Sequence, residues 1–95
     1  MSQREHTIVM CYDIADNRLR RRVAATLEER MVRVQKSVFE ARMNLPVARA
    51  LFNEVDMLLD EGDSLRMYVL TAAGLARSVA SGGAPIPEDG GWWLL

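Results

Sequence analysis

The sequence is short of the residues from which self-contained metal and redox sites are built. It holds one cysteine, Cys11, and one histidine, His6. A single thiol excludes an internal disulfide and any multi-thiolate zinc site, and it fits a reducing compartment. Cys11 lies in an apolar run, where a thiol packs as a small, inert hydrophobe. His6 has no partner at ligand spacing and takes no role. Long hydrophobic runs are also missing: nothing approaches the roughly 20 apolar residues that span a bilayer. The opening Met1–His6 lacks the apolar core of a secretion signal. The expectation is a cytoplasmic protein with no membrane contact. Internal repeats and long low-complexity runs are absent.

What is present is ordinary globular material. Of 95 residues, 49% are hydrophobic and 26% charged, which argues against disorder and leaves room for one domain, 1–95. A chain this short buries only roughly 60–65% of its unfolded surface, so it is marginal alone and suited to oligomerisation. The net charge of -1 hides an asymmetry. Up to Arg49, ten Lys and Arg face six Asp and Glu; from Ala50 onward, two face seven. A basic front half can hold phosphate if its arginines gather on one surface.

His6 to Asp13 is a nearly continuous β-favouring apolar run and reads as a buried central strand. Ile14–Asn17 is a turn in which Asp16 or Asn17 caps a helix from about Arg18 to Met31. Leu19, Val23, Leu27 and Met31 form its apolar stripe. Val32–Gln35 and Val38–Arg42 are two short strands around Lys36-Ser37, as a hairpin or as one bent strand, because Lys-Ser suits a primed turn poorly. Asn44 caps a second helix, with Pro46 in its first turn. Its buried face is Ala48, Leu51, Phe52, Val55, Leu58 and Leu59, and Gly62 supplies the left-handed residue that ends it. Ser64–Leu70 is a strand. A core over 7–70 is therefore followed by a linker over 71–91 and by Trp92-Trp-Leu-Leu95, a terminal interface strand over 92–95. The fold class is α+β, a ferredoxin-like β-α-β-β-α-β with an extra C-terminal strand used in dimerisation.

Arg18, Arg20, Arg21 and Arg22 crowd the first turns of the first helix. Positive charge there opposes the helix macrodipole by about 0.3–1 kcal/mol each. A solvated helix face is the plain reading of such a cluster, but its unfavourable place points to an anionic partner. Asp13, an acid ending an apolar strand, reads on its own as a turn or helix cap.

Three segments together resemble one family. Tyr12-Asp-Ile14 closes the first strand, Asn17-Arg-Leu-Arg-Arg-Arg-Val23 opens the first helix, and Arg33-Val-Gln-Lys-Ser-Val-Phe-Glu-Ala-Arg42 follows. This pattern is similar to the small CRISPR-associated adaptation protein Cas two, a family of metal-dependent endoribonucleases or endonucleases. The resemblance implies that Asp13 is the catalytic acid and the metal ligand, with Mg2+ or another divalent ion as cofactor and a dimer mate supplying a second carboxylate. It places Arg20, Arg22, Arg33, Ser37 and Phe39 around the site, with Tyr12 beside them. It also implies a homodimer at the centre of a complex with the Cas one integrase, acting on DNA or RNA.

The chemistry is consistent with that. Phosphodiester hydrolysis needs an activated water, neutralised phosphate charge and help for the leaving oxygen, all of which a hard divalent ion supplies. Magnesium binds through one or two carboxylates and keeps several waters. Arg18, Arg20, Arg21, Arg22 and Arg33 are expected to contact nucleic-acid backbone, because a guanidinium fork bonds two phosphate oxygens. Phe39, beside Val38, fits the core better than a base-stacking platform. Ser37 reads as a turn residue that bonds locally. Trp92 and Trp93 suit a subunit interface, or a cap on the chain's own core. Three functions are open: a metal-dependent nuclease, a structural adaptor that spaces integrase dimers on DNA, and a ferredoxin-like ligand sensor, against which the arginines argue.

Overall fold

The computed structural model describes residues 4–86. Strand β1 (Glu5–Asp13) leads into helix α1 (Asn17–Glu28). Strands β2 (Val32–Gln35) and β3 (Val38–Asn44), helix α2 (Leu45–Asp56), strand β4 (Ser64–Leu70) and a short helix α3 (Ala72–Ala76) follow. The sheet order is β2-β3-β1-β4, with every neighbouring pair antiparallel. Strands β1 and β2 therefore run the same way with β3 between them, and β3 and β4 run the same way with β1 between them. These two interleaved β-α-β units make the fold α+β and ferredoxin-like.

Alternation along the strands decides which face carries the helices. Ile8, Met10 and Tyr12 of β1 and Phe39, Ala41 and Met43 of β3 point to one side. There they meet Val23, Ala24 and Leu27 of α1 and Ala48, Leu51 and Val55 of α2. Phe39, Ile8, Met10, Leu27, Val23 and Val55 are sealed from solvent, each burial contributing about 1.5–3 kcal/mol before entropy is counted. Neither helix lies on the opposite face of the sheet. Val9, Cys11, Val38 and Glu40 are half-buried on that face, and Tyr68 is exposed. Burial pushes the Glu40 carboxyl above its ordinary range.

Several expectations need correction. Helix α1 stops at Glu28, three residues before Met31, which packs in the core from the connection to β2. Helix α2 stops at Asp56, so Leu58 and Leu59 pack against the core from outside it. Gly62 does not end that helix. It takes its left-handed φ of 92° in the turn before β4, a backbone shape that glycine adopts without strain. Segments 32–35 and 38–44 form a hairpin. Among the described residues no non-glycine residue has a positive φ, so Lys36-Ser37 avoids the primed turn that it suits poorly. A register shift between Arg33 and Gln35 accompanies it. The stretch expected to be a linker contains α3, which Thr71 caps through Gly74 N. Trp92, Trp93 and the terminal strand lie outside the described residues. Among the described residues no helix is long and apolar enough to cross a membrane.

Candidate metal and nucleic-acid site

Asp13 is the last residue of β1, exposed and in register with Ser64 at the start of β4. The loop that follows is closely held. Ile14 is buried, and Asp16 Oδ2 caps α1 by accepting from Leu19 N at 2.7 Å. Arg20 Nη1 reaches back from the helix and donates to the carbonyl oxygens of Ile14 and Ala15, at 2.8 and 3.0 Å.

The Lys36-Ser37 turn sits beside this loop because β3 pairs with β1. Ser37 O accepts from Tyr12 N at 3.2 Å. Lys36 O accepts from Tyr12 Oη at 3.3 Å and from Arg33 Nε and Nη2 at 2.9 and 2.6 Å. Beneath the turn, the Tyr12 and Phe39 rings stack at 5.9 Å, and the Arg33 guanidinium lies 5.6 Å from the centre of the Phe39 ring. Arg33 Nη1 also lies 3.9 Å from Glu28 Oε1. Between turn, loop and α1 is a cleft of about 730 Å³. Asp13, Arg20, Arg21, Arg33, Lys36 and Ser37 are among the residues that line it.

The expected site residues thus divide. Asp13, Arg20, Arg21, Arg33, Ser37 and Tyr12 meet around one cleft. Arg18 and Arg22 are exposed on α1 beyond its lining. Arg20 and Arg33 stand in the cleft, yet both spend guanidinium donors on backbone carbonyls of this chain, so each holds a loop in shape. Phe39 is fully buried and belongs to the core. Lys36 does not stand out in the sequence as a site residue. Its carbonyl is the common acceptor for Tyr12 and Arg33, and a backbone role leaves no mark in side-chain patterns. Asp63 escapes sequence reasoning as well: its Oδ1 accepts from Ala15 N at 3.2 Å across 48 positions of chain, a separation no local motif reveals.

Among the described residues no group of three or more His, Cys, Asp or Glu side chains could hold a metal ion. One exposed carboxylate per chain does not make a protein cage. It does fit Mg2+, a hard ion that keeps most of its waters and takes one or two carboxylates.

Residues 6–77 match the family model for CRISPR-associated protein Cas2. The CRISPR-associated endoribonuclease Cas2 1 of Chloroflexus aurantiacus is 37% identical over 82 residues, covering 84% of this chain and 88% of the relative. The crystal structure of TT1823 from Thermus thermophilus superposes with a TM-score of 0.71 at 30% identity, covering 86% of this chain and 95% of that one. A chain from a partial Cas6-RT-Cas1–Cas2 complex gives a TM-score of 0.70 at 26% identity, covering 85% and 90%. With the family pattern running through Asp13, both core helices and all four strands, the chain belongs to the CRISPR-associated protein Cas2 family.

Proposed function

We propose that this chain works in the cytoplasm as the dimeric Cas2 subunit of a CRISPR spacer-acquisition complex, and that Asp13 is the metal-binding acid of a phosphodiesterase site. The observation that carries the proposal is Asp13 itself: an exposed carboxylate at the end of a buried strand, opening on a cleft that also holds Arg20, Arg21 and Lys36. Cationic side chains there neutralise phosphate, and Asp13 contributes carboxylate oxygen to a hard ion. When bound, Mg2+ would supply the Lewis acid and the activated water. A second copy related by a two-fold axis would bring a second Asp13 to the shared groove without further sequence. The face of the sheet opposite α1 and α2, where α3 meets only the Thr7 end of β1 and Val9, Cys11 and Val38 are half-buried, is the surface available for that pairing.

A structural-adaptor reading is favoured by a different observation. Arg18, Arg21 and Arg22 are exposed along α1, and charge on a helix surface grips nucleic-acid backbone whether or not cleavage occurs. The Cas1–Cas2 complex that contains a structural neighbour supports a Cas1 integrase as partner. The nuclease relatives and the complex-forming neighbour are compatible, since one dimer can do both.

The two readings separate on one variant. Labelled duplex and single strands of DNA and RNA are incubated with wild type and Asp13→Ala, with Mg2+ or with chelator. A nuclease loses cleavage in both the variant and the chelated sample, with dimer and fold intact. If cleavage persists in Asp13→Ala, the catalytic assignment is wrong. If wild type binds duplex without cleaving it, the adaptor role stands alone.

A further inference from the structure

The link between Asp13 and α1 is pinned from two sides, and only one of them belongs to the arginine motif. From the helix side, Arg20 Nη1 holds the carbonyls of Ile14 and Ala15. From the other side, Asp63 Oδ1 accepts from the N–H of that same Ala15 at 3.2 Å. The second Asp63 oxygen is also engaged: Oδ2 accepts from Asp60 N at 3.0 Å, while Asp63 N donates to Asp60 O at 3.1 Å. The carboxylate is thus fixed in its own turn before it reaches across. Gly62 makes that turn possible through its φ of 92°, and the next residue after Asp63, Ser64, is the register partner of Asp13. An acid therefore holds Ala15's donor while a base holds its acceptor, two residues beyond the candidate metal ligand.

We propose that Asp63 is a positioning residue for Asp13, clamping the Ile14–Asp16 loop so that the Asp13 carboxylate is held at the cleft mouth. The inference rests on reading Asp13 as a metal-binding acid. Asp63 makes no contact with the ion in this scheme; both its oxygens are spent on backbone N–H groups. Loss of the clamp frees the Ala15 amide and lets the end of β1 sample orientations that bind metal less well. Groups that hydrogen-bond a metal ligand directly govern about 10–100-fold in metal affinity; a clamp that acts through two residues of backbone is expected at the lower end of that range.

The test uses full-length protein and Mn2+ as a spin-active substitute for Mg2+. Asp63→Ala should accelerate hydrogen exchange at the Ala15 amide, leave the Met10 and Val55 amides unchanged, and weaken Mn2+ binding about tenfold. Asp63→Asn keeps one carbonyl oxygen for Ala15 but turns an NH2 toward the Asp60 N–H that Oδ2 had accepted from, so it should recover the affinity only in part. Long-range attraction between an exposed carboxylate and the ion is screened by salt, whereas a positioning effect is not, so an affinity loss in Asp63→Ala that vanishes at high salt would mean that charge, not position, is at work, and would overturn the proposal. So would unchanged Mn2+ affinity in Asp63→Ala alongside faster Ala15 exchange. Wild-type protein whose Mn2+ binding does not depend on Asp13 would overturn the metal reading itself, and this positioning role with it.

Discussion

Arg33 grips the carbonyl oxygen of Lys36 with two donors, Nε at 2.9 Å and Nη2 at 2.6 Å. A lysine keeps the charge but has no planar fork. Arg33→Lys should therefore lower stability by about 1 kcal/mol, and Arg33→Ala by somewhat more, since the packing of the guanidinium on the Phe39 ring also goes. Urea unfolding checks this: the midpoint should fall while the slope is unchanged.

The exposed arginines of α1 should behave oppositely in binding and in folding. Replacing Arg18, Arg21 and Arg22 by alanine removes positive charge from the start of a helix whose first turn holds no acid. The melting temperature should hold or rise slightly. Duplex affinity should fall, and the slope of log K against log salt should flatten by about 0.9 for each phosphate that is no longer neutralised. The effect should be alike for unrelated sequences. Arg20 is left out of that set because Arg20→Ala also unfastens Ile14 and Ala15.

Phe39 is sealed in the core between sheet and helices. Phe39→Ala should cost about 3–5 kcal/mol, a large share of the roughly 5–15 kcal/mol that holds a domain together. Phe39→Leu should cost less and keep nucleic-acid affinity at low temperature. Calorimetry and binding at low and at physiological temperature distinguish a core residue from a base-stacking one, which would lose affinity at both.

Glu40 sets a pH dependence. Burial raises its folded-state pKa above the ordinary 4.5. Below that value the carboxyl is neutral in folded and unfolded chains alike. As pH climbs past it, the unfolded chain ionises first, and stability drains away until the folded group's own, higher pKa is passed. Glu40→Gln should flatten this fall and leave the protein more stable at neutral pH than wild type, as thermal melts from acid to neutral pH would record. Covering the open face in a dimer should enlarge the effect.

Much of the fold was legible because its signals are local. The apolar run at His6–Asp13, the caps Asp16 and Asn44, and the alternation in Ser64–Leu70 each depend on neighbours a few residues away. Helix ends were read less well. Met31, Leu58 and Leu59 continue the apolar pattern, yet they reach the core from connections, since burial rewards contact regardless of the backbone that delivers it. In the site, the arginines stood out by their unfavourable place at a helix start, whereas Asp13 read on its own as a cap and took its role from the family resemblance. The division of labour among the arginines did not stand out, because whether a guanidinium faces phosphate or its own chain depends on which carbonyls lie within reach.

Sequence alone determined the order of elements from β1 to β4, the family pattern and the acid at the end of the first strand, all of which are written in residue type and short-range pattern. Tertiary structure alone decided that Lys36 O gathers Tyr12 and Arg33, that Arg20 turns back on Ile14 and Ala15, and that Asp63 meets Ala15. Each of these bonds depends on where folding has brought a particular carbonyl or amide. Pairing of β1 with both β3 and β4 carries the last of them across 48 residues.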